Sequence, residues 1–249
     1  MALERILEEE VMDTPEEATV YNAMDHQEIN ALFVDDLLMT FQEFYTPAQQ
    51  LELFRNADIF EDKEEEPLLP FLGNLLDIGT GTALIPIELC RREVSCRIMA
   101  VDMATSMLDL AQINIGAVNY HDRITLGQQD AKATTFEDDL FEVVMSNSII
   151  HHVPTPKEAF AEMVRVLKPG GFLFIRDLAR PASHEQLDNL VQTHAGEEDQ
   201  RGRQMFAESL HAALTLKEVQ AMANDFGFSP DTVTLTSDRH WTLAAKKPF

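Results

Sequence analysis

Disulfide chemistry is the first thing this chain has little means for, because 249 residues carry only Cys90 and Cys96. Cys90 falls in a helical pattern and Cys96 just before an extended one, which gives neither a disulfide framework nor a metal-ligand spacing. Positive charge is scarce too. Lys and Arg number 19 against 43 Asp and Glu, a net charge of −24, and a field of that sign repels phosphate backbones and anionic membrane surfaces. Nucleic acid and lipid headgroups are thereby poor partners. No run of 18 apolar residues occurs, and residues 1–10 are acidic with no basic segment leading into an apolar one, so no membrane span is expected and a cytoplasmic location is. What is present suffices for a packed interior. With 45% of residues hydrophobic, a chain of this length fits one α/β domain with additions.

The stretch Leu75-Leu76-Asp77-Ile78-Gly79-Thr80-Gly81-Thr82 reads as strand, tight loop and helix start. In an open α/β sheet such a junction binds ligands, because backbone N–H groups and a helix N-terminus converge there. A third glycine is missing. The position a dinucleotide fingerprint reserves for it is Leu84, and Asp77 would repel a pyrophosphate while suiting a ligand that carries an ammonium and a sulfonium.

Upstream, residues 1–17 are charged and read as a loosely held arm. Ile29, Leu32, Phe33, Leu37, Phe41 and Phe44 recur at spacings of three and four, one face of a helix. That face either packs on the sheet as scaffold or lays the stretch before it, Tyr21 to Asn30 with Met24, Asp25 and His26, over a pocket as a lid. Tyr21 in particular either roofs that pocket with its hydroxyl on the ligand or packs as ordinary core. A further helical piece follows Thr46-Pro47. The acidic run from Glu61 to Glu66 reads as a solvated linker, which divides the chain into a helical arm and lid over 1–66 and a ligand-binding domain over 67–249.

Downstream, strands are expected over 97–102, 124–130, 141–148, 172–177, 232–236 and 240–245, with helices over 83–92, 104–118, 183–193 and 216–225. Asp102 ends the second strand 21 residues after Gly81, where a carboxylate can accept both hydroxyls of a ribose. Thr155, Pro156 and Glu158 spell a capping box before a helix that ends at Lys168-Pro169-Gly170-Gly171.

Four ordered signals now stand together: D-x-G-x-G, two strand-end acids, N-S-I-I-H-H-V and L-K-P-G-G. This set resembles the class I S-adenosylmethionine-dependent methyltransferases, closest in character to the small-molecule methyltransferases of ubiquinone and menaquinone biosynthesis. The resemblance implies a doubly wound, seven-stranded Rossmann-like α/β sheet of order 3-2-1-4-5-7-6, its last strand antiparallel, under an N-terminal helical cap. It implies S-adenosylmethionine as cofactor, released as S-adenosylhomocysteine, held by Asp77, Gly79, Thr80, Gly81, Asp102, Met103, Asp130, Ala131 and Asn147, with Tyr21 of the expected lid as a further cofactor-binding candidate. Glu142 stands where the family usually has aspartate.

His152 is the candidate catalytic residue, with the use of a general base left open, and His151 its neighbour at the substrate pocket, although histidines after a strand also serve simply to bond backbone. They lack companions at metal-ligand spacing, so no metal is expected. Arg176, Arg239 and His240 are expected at the same sheet edge, where arginines would suit an anionic acceptor, or else form surface ion pairs. A small-molecule methyltransferase is thus the expected function, with a non-catalytic cofactor sensor or partner subunit as the alternative. The acceptor, the attacked atom and the oligomeric state are left open.

Overall fold

The computed structural model of the protein describes residues 3–8, 13–23, 27–56 and 69–248. Met24, Asp25 and His26 of the expected lid and the acidic run Glu61 to Glu66, with the boundary drawn there, lie outside the described residues. In chain order the elements are α1 (Pro15–Ala23), α2 (Gln27–Phe44), α3 (Pro47–Asn56), β1 (Phe71–Ile78), α4 (Leu84–Cys90), β2 (Ser95–Asp102), α5 (Thr105–Val118), β3 (Ile124–Gln128), β4 (Phe141–Asn147), α6 (Pro156–Val166), β5 (Leu167–Leu178), α7 (His184–His194), α8 (Gln200–Ala212), α9 (Leu216–Asp225), β6 (Val233–Leu235) and β7 (His240–Lys246).

Seven strands form one sheet of order β3-β2-β1-β4-β5-β7-β6, the expected order. β1, β2, β3, β4 and β5 run parallel, and β7 is antiparallel to both β5 and β6. Strict alternation along the strands builds the two faces. Val143 and Met145 of β4 and Phe172 and Phe174 of β5 turn toward α2, α4 and α5. Val144, Leu173 and Ile175 turn toward α6 and α9, where Phe160, Met163, Val219 and Met222 meet them.

β1 breaks this period once. Its register shifts between Phe71 and Gly73, and Gly73, at φ 67°, forms the irregularity beside Glu142. That glutamate, expected at a family aspartate position, is buried. It accepts the Asn74 N–H at 2.7 Å and pairs with Lys168, so it joins β1, β4 and the L-K-P-G-G segment as scaffold.

Four local expectations need correction. The capping box at Thr155 does not close. The Thr155 hydroxyl donates to Glu158 Oε2 at 2.6 Å instead of accepting from the backbone, whereas Thr215 and Glu218 make the reciprocal box at the start of α9. Lys168 to Gly171, read as a turn, already belongs to β5, because Gly170 and Gly171 exchange backbone bonds of 2.9 Å with Lys247. On α2, Ile29 and Leu32 are exposed. The helix turns Val34 inward with Phe33, Leu37 and Phe41, because the sheet offers Phe172 and Phe174 to those positions.

The arm is not loose where it is described. Leu3 is buried among Leu178, Leu187, Leu190 and Leu210. Arg5 donates to the carbonyls of Ala212 at 2.7 Å and Val153 at 3.0 Å. Among the described residues no helix is long and apolar enough to cross a membrane.

Candidate functional site

The loop after β1 is shaped by what a side chain would strike. Gly79 has φ 76° and a Cβ there would lie 2.2 Å from Ile149, so only glycine fits. The N–H groups of Gly79 and Thr80 both donate to Val101 O, at 2.8 and 2.9 Å, which clamps the loop to the end of β2. Gly81 donates to Asp102 Oδ2 at 2.8 Å and Ala104 to Asp102 Oδ1 at 2.9 Å. One carboxylate thus joins the glycine loop to the start of α5. Burial raises Asp102 above its ordinary value, against the pull of those backbone donors.

Asp77 lies one strand over, buried at 3% exposure. Burial pushes its carboxyl up to about 7, opposed by the nearby Thr80 side chain and reinforced by the charge of Asp102. Among the described residues no lysine or arginine pairs with it. Tyr21 of α1 faces both acids, and burial first, then the charges of Asp102 and Asp77, raise its phenol. A Cβ on Gly81 would sit 3.6 Å from the Tyr21 ring.

Tyr21, Asp77, Gly79, Thr80 and Asn147 line one small cavity, joined by Thr82 and Asn30. Its volume, about 20 Å³, holds roughly one water. α1 is held by small contacts: Asn22 accepts from Asn114 at 2.8 Å, Ala18 and Tyr21 pack on Ala104 and Met107, and Asp13 just ahead of it accepts the Ser106 N–H at 2.9 Å.

Other expected cofactor residues lie outside that cavity. Asp130 accepts the Lys132 N–H at 2.9 Å and pairs with its ammonium at 3.1 Å, Ala131 packs on the core, and Met103 is exposed while its carbonyl accepts from Gln128.

The substrate-edge residues divide. His151 is buried and its Nδ1 lies 2.5 Å from Asp177 Oδ1, while Asp177 also receives the N–H groups of Ile150 at 2.5 Å and Leu178 at 2.6 Å. Burial opposes both charges, but each holds the other, so Asp177 is lowered and His151 raised. His152 Nδ1 faces Glu8 Oε1 at 3.2 Å.

Arg176, expected to receive an acceptor anion, is already matched. It pairs with Asp36 at 2.7 Å, donates to Thr242 at 2.9 Å and lies near the rings of Phe33 and Phe174, so it fastens α2 to the sheet. Arg239 turns away to His194 and Asp238. His240 does sit at the carboxyl edge, paired with Leu178 across β5 and β7, and burial with the charges of Arg239 and Arg176 pulls it down to about 4.

Glu8 and Arg5 escaped the sequence reading, whereas Asn30 lies in the stretch expected over the pocket. The only signal for the first two was a charged arm, which says nothing about the partner across the fold. Glu8 also lines, with Ile6, Leu7, Glu208 and His211, a groove of about 680 Å³.

Comparison with known proteins gives the site a context. A family model described as a methyltransferase domain matches residues 76–175. The ubiquinone/menaquinone biosynthesis C-methyltransferase UbiE of Geobacter sulfurreducens is 34% identical over 45% of this chain and 44% of its own. The 27-O-demethylrifamycin SV methyltransferase of Amycolatopsis mediterranei is 25% identical over 70% of this chain and 61% of its own. The chain thus spans about half the length of the curated relatives it matches. A crystal structure of a SAM-dependent methyltransferase from Aquifex aeolicus superposes with a TM-score of 0.54 at 13% identity, covering 94% of this chain and 98% of that one. At that identity the likeness is one of fold.

Proposed function

We propose, from the premise that residues 76–175 are a methyltransferase domain carried on the class I fold, that this chain transfers a methyl group from S-adenosylmethionine to a small-molecule acceptor in the cytosol. The observation that carries the proposal is Asp77. A buried carboxylate with no cationic side chain is costly, and an ammonium arriving with the ligand would match it.

In this reading Asp77 and Tyr21 take the amino-acid end of the cofactor, and Asp102 takes the ribose hydroxyls with lone pairs that Gly81 and Ala104 leave over. The buried Thr82 hydroxyl, which has no hydrogen-bond partner, adds a polar group to the cavity wall. Asp130, Ala131 and Met103 lie toward the adenine, and Asn147 lies toward the methyl. The cofactor, once bound, supplies an electrophilic methyl on a sulfonium. The chain aligns and dries that centre, and positioning of this kind is worth roughly 7 to 11 kcal/mol in favourable cases. Residues 1–66 act as the helical lid over a domain of 67–249, and α1 is the part that opens.

The relatives act on different kinds of small molecule, a quinone precursor and a rifamycin by their names, so the acceptor here is proposed only as a small molecule.

The test is calorimetry of the purified protein with S-adenosylhomocysteine and with NAD, followed by a screen for metabolites that gain the mass of one methyl when S-adenosylmethionine is added. Saturable binding of the first ligand with a methylated product is expected. Binding of NAD with indifference to S-adenosylhomocysteine would overturn the assignment.

A further inference from the structure

The loop after β4 and the N-terminal arm bring together three side chains that the cofactor cavity does not use. Glu8 Oε1 lies 3.2 Å from His152 Nδ1 and 3.6 Å from His151 Nε2, and ligating atoms of all three residues fall within 4.8 Å of one another. Among the described residues Glu8 Oε1, though buried, accepts no hydrogen bond. Two nitrogens and an oxygen at these separations are close enough to share one ion. A tetrahedral zinc with bonds of about 2.0 to 2.2 Å has ligand–ligand edges of roughly 3.3 to 3.6 Å, close to the two distances found.

The shell behind the cluster fits the same purpose. Asp177 Oδ1 holds His151 Nδ1 at 2.5 Å, so a neutral His151 keeps its ring proton on that nitrogen and offers Nε2, 3.6 Å from Glu8 Oε1, to a cation that displaces the second proton. A carboxylate that orients an imidazole in this way is the usual support of a metal-bound histidine. Asp177 is itself fixed by the N–H groups of Ile150 and Leu178. The arm that delivers Glu8 is pinned by Arg5 on the carbonyls of Val153 and Ala212, so the third ligand is placed by the fold.

We propose that Glu8, His151 and His152 form a binding site for one divalent cation of the zinc class. Imidazole with carboxylate suits zinc and its first-row neighbours better than magnesium or calcium, which prefer all-oxygen sites. Two histidines and a glutamate leave a coordination position open, as in catalytic sites. A water or a ligand oxygen would complete the shell, and Glu8 also lines the groove with Glu208 and His211. The inference does not rest on methyl transfer.

The test uses the untagged full chain, stripped with chelator and titrated with Zn²⁺ and with Co²⁺. One equivalent of each is expected, with visible Co²⁺ absorption of a four- or five-coordinate site. Glu8→Gln and His152→Gln should each weaken binding at least tenfold, and His194→Gln, on the distant surface pair with Asp238, should leave it unchanged. Absence of stoichiometric binding, or equal binding by Glu8→Gln and the parent, overturns the site. X-ray absorption on the Zn²⁺-loaded parent protein needs no variant to fold. Two imidazoles and a carboxylate in the first shell support the site, and fewer than two imidazoles refute it.

Discussion

Removing the charge of Asp77 should stabilise the empty protein and impair its binding to the cofactor. Asparagine keeps the shape of the side chain and cannot ionise. In the folded chain burial holds the Asp77 carboxyl at about 7 instead of 3.8, and each pH unit of that difference corresponds to about 1.4 kcal/mol. The folded state therefore keeps a proton that the unfolded state releases, so this group costs nothing below pH 4. Its cost grows as pH rises from about 4 to 7 and is full above that, on the order of 4 kcal/mol at most.

Urea unfolding of the parent and of Asp77→Asn at intervals from pH 5 to 8 measures it. The variant's advantage should be about 1.5 kcal/mol at pH 5, reach about 4 kcal/mol at pH 8 and level off there. Its affinity for S-adenosylhomocysteine should nevertheless drop roughly 10- to 150-fold, the value of one charge-assisted bond of about 1.5 to 3 kcal/mol. A variant no more stable than the parent at pH 8, or a difference flat across the range, would refute the argument that the carboxylate is buried without a cation.

Asp102→Ala should weaken S-adenosylhomocysteine binding several-fold or more in calorimetry, since it removes the ribose acceptor together with the link between Gly81 and Ala104. Gly79→Ala should abolish that binding and cost more than about 2 kcal/mol in unfolding experiments, because φ is positive and the methyl would meet Ile149 at 2.2 Å. Asp36→Ala leaves Arg176 half-stripped of its partners, and thermal unfolding should report a loss of about 3 kcal/mol. Bulk tRNA should not shift the protein in a gel at physiological salt, given the net −24, and a salt-sensitive complex would overturn the small-molecule reading.

How far the chain could be read without its fold follows the range of each interaction. Alternation in β4 and β5, the glycine loop after β1 and the acid that closes β2 are local patterns, and the strand order came with the family resemblance that those patterns carry. Boundaries moved where a neighbour decided, as when Lys247 drew Gly170 and Gly171 into β5. The same holds for capping, since Thr155 and Thr215 carry the same signature and only the second closes.

The site divides along that line. Asp77, Gly79, Gly81 and Asp102 lie within a strand, a turn and one crossover of each other, so spacing in the sequence alone placed them around one loop. Which acid would be left buried without a cation was a matter of packing. So was the fate of Arg176, spent on Asp36 of α2 at 2.7 Å, and the meeting of Glu8 with His151 and His152. A charge pattern specifies a side chain's chemistry and not its partner, and partners far apart in sequence are chosen by the close-packed core that seats α2 and the arm against the sheet.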